Sequence, residues 1–74
     1  MPATTADRRE VLGAIVEATR DRVYRHEAEA RVYGKKWKVP DRVMAAIHVA
    51  RRDLQLAEEV FREFEARNRI GGRP

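Results

Sequence analysis

Cysteine and serine are both missing from this 74-residue chain. The first absence removes disulfides and every thiolate metal site, and together they remove the commonest nucleophiles of covalent catalysis. Histidine is nearly absent too, with His26 and His48 the only imidazoles. Di-iron helical bundles need Glu-x-x-His at i,i+3 on facing helices, and neither histidine has a glutamate three residues before it. No metal and no cofactor is expected. Glycine is sparse, at positions 13, 34, 71 and 72, and none of these follows a strand pattern as a phosphate-cradling loop requires. No catalytic residue stands out, and an enzyme is not the expected reading.

Long apolar runs are also lacking. No stretch approaches the roughly 20 residues that a membrane-spanning helix needs. The opening MPATTADRRE has neither the basic start nor the apolar core of a secretion signal. The expected location is therefore the cytoplasm, or the inside of a particle assembled there. A single small domain seldom supplies more than about 3–5 kcal/mol from its own core, and disulfides, metals or oligomerisation usually supplement it. With the first two excluded, a homo-oligomer, most simply a dimer, is expected.

Lysine is scarce, and its placement is informative. All three lysines, Lys35, Lys36 and Lys38, surround the only tryptophan, Trp37, while the other thirteen positive charges are arginine. The excess of arginine and lack of serine fit GC-rich coding. Residues 1–34 and 55–74 each balance acid against base, so the whole formal charge of +4 falls in residues 35–54.

Proline, at 2, 40 and 74, leaves two long uninterrupted stretches. The first helix is expected over about 5–33. Thr4 followed three residues later by Asp7 resembles a capping box, with Thr5 a competing cap. Gly34 suits the left-handed position that ends a helix. The span predicts a rod of roughly 42 Å at the standard rise. The second helix is expected over about 40–69, with Pro40 in its first turn and Asp41 facing the positive end of its dipole. A short basic turn, 34–39, joins the two as antiparallel neighbours, and residues 70–74 read as a frayed tail. One domain, 1–74, results.

In the second helix, Val43, Ile47, Ala50, Leu54, Ala57, Phe61 and Phe64 recur at alternating steps of four and three, the 3.5-residue period of coiled-coil packing. Val49, Leu56 and Val60 form a second row, widening the apolar stripe to roughly 160°, more than one partner helix fills. The second row is the expected oligomer interface. The first helix is less regular. Leu12, Ile15, Thr19, Val23, His26, Ala30 and Tyr33 follow steps of three or four with an eleven-residue recurrence. The expected core seam is therefore Leu12, Ile15, Val43, Ile47, Leu54, Phe61 and Phe64. Gly13 costs about 1 kcal/mol relative to alanine in mid-helix, so it is expected to mark a close crossing. Five acid-first i,i+4 pairs, Glu58–Arg62, Glu63–Arg67, Glu65–Arg69, Asp21–Arg25 and Glu27–Arg31, are expected to line solvent-facing surface.

These patterns predict an all-α, coiled-coil-like antiparallel hairpin of two helices, paired into a dimeric four-helix bundle. Function is read from the turn and the second row. Lys35, Lys36, Trp37, Lys38, Arg42, Arg51 and Arg52 could neutralise phosphates while the indole stacks on a base, or could meet an acidic protein surface. The plainer alternative is a solvated turn with Trp37 folded over the hairpin end as a lid. The sequence favours a non-enzymatic assembly or adaptor protein that self-associates through its second helix and docks on a protein partner. A small nucleic-acid-binding regulator is the alternative.

Overall fold

The computed structural model describes the backbone of residues 4–71 and the side chains of residues 4–68. It contains helix α1, Thr5–Val32, and helix α2, Asp41–Gly71, folded back on each other as an all-α hairpin. The second helix runs two residues past its expected end. Residues 70 and 71 are thus helical, and the rest of the expected tail, 72–74, lies outside the described residues.

Local chemistry sets the ends. Thr4 Oγ1 accepts from the Asp7 backbone N–H at 3.1 Å, and Asp7 Oδ2 accepts from the Thr4 N–H at 3.2 Å. Two of the donors that a helix start leaves orphaned are satisfied by this capping box. At the other end Gly34 takes φ +61°, a backbone conformation that costs glycine nothing. Its N–H donates to the Arg31 carbonyl at 3.0 Å and closes α1. Pro40 sits one residue before α2, not in its first turn. Its carbonyl accepts from Val43 and Met44 at 3.0 and 3.1 Å, and Asp41 opens the helix.

The core is one seam, and α1 contributes to it differently than expected. Val43, Ile47 and Ala50 of α2 and Val23 of α1 are buried, each 6% exposed or less. Leu54, Ala57, Phe61 and Phe64 are half-buried, as are Leu12, Val16, Thr19, His26, Ala30 and Tyr33. Ile15 is not in the seam, being 45% exposed. With Val16 in its place, the α1 seam reads 12, 16, 19, 23, 26, 30, 33, which is the same strict alternation of four and three found in α2. Both helices therefore carry heptads. Pairing them antiparallel sets Leu12 level with Phe64, Val16 with Phe61 and Thr19 with Ala57. Each of these pairs lines a common surface depression.

Gly13 faces Phe61, but no close crossing exists there. A Cβ built at Gly13 would lie 3.7 Å from Phe61 Cε2, an ordinary van der Waals distance. Alanine therefore fits, and it removes the helix penalty of glycine. Gly13→Ala should raise stability by about 1 kcal/mol, read as a higher urea midpoint with an unchanged slope. A lower midpoint would mean that the helices approach more closely at this level.

Candidate functional site

Cross-helix ion pairs organise the surface. Arg9 Nε lies 2.8 Å from Glu65, Arg20 3.7 Å from Glu58, Arg22 4.0 Å from Asp53 and Arg42 3.6 Å from Glu29. Arg51 Nη2 also donates to Glu27 Oε2. The anticipated intrahelical pairs are not among the ion pairs within 4.0 Å, and the Arg69 side chain is outside the described residues. The cause is register. Glu58 and Glu65 flank the seam at the same heptad position as Arg51, so all three reach across to α1. Arg62 instead turns Nε toward the Glu58 carbonyl at 3.4 Å.

The two broad sides of the hairpin differ. Heptad position puts Arg51, Glu58 and Glu65 on one side, and there three ion pairs flank the seam, with a depression at Val16 and Phe61 beside them and Met44 40% exposed at the same heptad position nearer the turn. Asp53 and Arg42 fall on the other side, with Val49, Leu56 and Val60. On that side the ion pairs Arg42–Glu29 and Arg22–Asp53 roof only the half nearest the turn. Beyond Asp53, toward the chain ends, the roof is apolar and open. A shallow groove is lined there by Leu12, Ile15, Thr19, Asp53, Leu56, Ala57 and Val60. Leu12 also lines a second depression, with Val11 and Phe64 and with Asp7 and Arg8 at its rim. Leu56 is 50% exposed and Val60 51%. The Thr19 hydroxyl at its edge already donates to the Ile15 and Val16 carbonyls at 2.9 Å, so it offers no free donor.

The expected interface row Val49, Leu56 and Val60 is thus exposed, and α1 adds Val11 and Ile15 to it. Sequence reasoning missed the α1 contribution because Ile15 was assigned inward. The phase of Val23, Ala30 and Tyr33, followed back in heptads, would have selected Val16 for the seam and left Ile15 outside.

The turn is a second, separate surface. Lys35, Lys36, Trp37 and Lys38 are all exposed, and no acidic side chain among the described residues lies within 4.0 Å of the three lysines. Trp37 is 71% exposed, so it does not fold over the hairpin end as a lid. Val39 and Pro40, which follow it, are half-buried. Of the arginines grouped with the turn, Arg42 and Arg51 are engaged by Glu29 and Glu27, whereas Arg52 is exposed and outside the ion pairs. The structure brings together Lys35 to Lys38 and leaves the arginines as a flanking, partly neutralised stripe.

His26 is half-buried in the seam, level with Ala50, and His48 is exposed on α2. Among the described residues, no group of three or more histidine or carboxylate side chains is placed to share an ion. Among the described residues, no helix is long and apolar enough to cross a membrane. The chain matches no protein-family model, no curated protein and no solved structure.

Exposure of Trp37 among lysines has an optical consequence. Iodide should quench its fluorescence nearly as well as it quenches a free indole, and better than caesium does, because the lysines attract the anion. Replacing Lys35, Lys36 and Lys38 with glutamine should abolish the preference for iodide. Poor quenching by both ions would show that the indole is covered.

Proposed function

We propose that this chain is a small, non-enzymatic interaction protein that associates with itself through the open apolar face and presents its basic turn to an acidic partner. The open face carries the reading. The hairpin exposes 6387 Å², whereas a compact protein of 8.6 kDa exposes about 4,700 Å². The excess of about 1,700 Å² is roughly twice what one protomer gives to a standard interface. Its radius of gyration, 17.0 Å, compares with about 11 Å for a compact chain of this length. Its thinnest extent is 14 Å, a layer one helix deep. Such a layer has no interior apart from its seam, so large side chains beside the seam stay wet until a second layer covers them.

Val11, Ile15, Leu56 and Val60 are those side chains. A dimeric four-helix bundle formed on them supplies the burial that a single seam lacks. The proposed partner of the turn is an acidic protein surface, met in the cytoplasm.

One observation favours a second reading, nucleic-acid binding. The sole tryptophan stands free between lysines with no acid in range, which suits a ring that stacks on an unpaired base while the lysines take phosphates.

Leu56→Glu combined with Val60→Glu separates face from fold. Sedimentation should show a species of lower mass that keeps its helical circular dichroism. An unchanged mass would remove this face from self-association.

Titrating Trp37 fluorescence with mixed-sequence single- and double-stranded nucleic acid at two salt concentrations tests the second reading. Saturable, salt-sensitive binding would favour it. Replacing the three lysines with glutamine should then reduce the log–log salt slope by about 0.9 for each phosphate no longer neutralised. A flat signal at low salt leaves the acidic protein surface as the partner.

A further inference from the structure

The hairpin is finished at one end and unfinished at the other. All four buried residues, Val23, Val43, Ile47 and Ala50, belong to the half next to the turn. Ion pairs flank the seam there on both sides, with Met44 and Val49 the apolar side chains of α2 left exposed beside them. The half next to the chain ends carries the larger seam residues Leu12, Val16, Phe61 and Phe64, none of which is more than half-buried. Its open side shows Val11, Ile15, Leu56 and Val60, each 45% exposed or more. Charge divides the chain along the same line. Residues 1–20 and 55–74 each balance acid against base, so the half carrying the chain ends is neutral. The whole +4 lies in residues 35–54, in the half carrying the turn.

From this division we infer that two copies pair through their end halves only, antiparallel, with the basic turns projecting at opposite ends of the assembly. The inference rests on the self-association proposed above and specifies its geometry. The occupant of the open face is a second copy because an isologous pairing sets that face against itself. The excess surface of the chain, about 1,700 Å² over a compact shape, is more than the roughly 800 Å² that one protomer gives to a standard interface. Two layers stacked face to face can be related by a two-fold axis along the helices or across them. The first choice superimposes the turns and runs the two +4 segments side by side. The second, with its axis crossing near Ile15 and Val60, centres the overlap on the neutral halves and moves the positive tips to opposite ends. Ile15 then lies beside its own copy, as does Val60, and the groove between α1 and α2 is closed. The half that already has its core and its ion-pair roof overhangs and stays free.

The product is a rod with a basic, tryptophan-bearing tip at each end, a divalent ligand for an acidic partner. Each tip lies about 21 residues of helix from the axis, so the tips stand ~60 Å apart at 1.5 Å per residue. In the alternative pairing they lie ~20 Å apart, set mainly by the spacing of packed helix layers.

Because the chain has no cysteine, Lys36→Cys places a single spin label at the exposed tip. Pulsed dipolar spectroscopy on the labelled full chain, with its mass measured by sedimentation at the same concentration, decides the matter. A dimer with a distance centred near 60 Å is the expected result. A dimer with a distance near 20 Å overturns the opposed arrangement and leaves self-association standing. A monomer at millimolar concentration, with no intermolecular dipolar signal, overturns both and assigns the open face to a different protein. A tetramer or larger species likewise overturns the two-copy arrangement.

Discussion

Two helices share one surface, and that surface is a line. A helix packed against a single neighbour buries one narrow stripe, so whatever apolar surface the sequence places outside the stripe stays exposed. Here the stripe is satisfied by two heptad seams running antiparallel in register. Near the turn, Ala30, Ala46 and Ala50 keep the helices close and Val23, Val43 and Ile47 fill what remains. Near the chain ends Leu12, Phe61 and Phe64 are too large for a line contact and spread over its edges. The open groove arises from big residues in a geometry with room for small ones. On the reading proposed here oligomerisation is the physical remedy, since a chain without cysteine has no disulfide to staple it.

The ion pairs serve alignment more than strength. Exposed pairs of this kind are worth about 0–1 kcal/mol each, and their side chains are a quarter to three-quarters exposed. Their signs are what matter. From the chain ends to Arg22, α1 supplies the bases and α2 the acids; from Glu27 to the turn, the signs exchange. Heptad seams alone tolerate a slip of seven residues, because each apolar layer meets another. A slip one way brings Glu27 against Glu58, and the other way brings Arg20 against Arg51. The exchange of sign therefore selects one register out of several that the apolar pattern allows, as like charges in close apposition disfavour the others.

How much of this was legible in the sequence depends on whether the signal was local. The capping box at Thr4 and Asp7, the left-handed Gly34 and the start of α2 beside Pro40 are short-range chemistry, and they were readable to within a residue or two. The α2 seam was readable because its apolar residues stand apart between charges. In α1 the run Val11, Leu12, Ile15, Val16 offers adjacent apolar residues of similar hydropathy, and composition favours the larger Ile15. Only the phase carried from Val23 to Tyr33 distinguishes Val16 as the inward residue. The ion pairs were misassigned for a related reason. Spacing of i,i+4 can be seen in one helix, whereas a partner 13 to 56 residues away on the other helix is visible only after the register is known. The orientation of Trp37 had no local signal at all.

Separating the two surfaces has a mechanical consequence on the reading proposed here. The turn and the open groove share no residue, and the closely packed half of the hairpin lies between them. Association through the groove therefore neither buries the lysines nor requires the indole to move. The turn can engage an acidic surface whether or not a second copy is attached, and the gain from pairing is multivalency rather than a new contact. Two linked tips raise the effective concentration of the second once the first has bound, provided the partner offers acidic sites at a matching separation. A stiff helical rod makes that condition strict, because the spacing of the tips is fixed by residue count and cannot adapt as a flexible linker would. Selectivity among acidic partners would then come from the length of the rod, a property that neither the lysines nor the tryptophan carries alone.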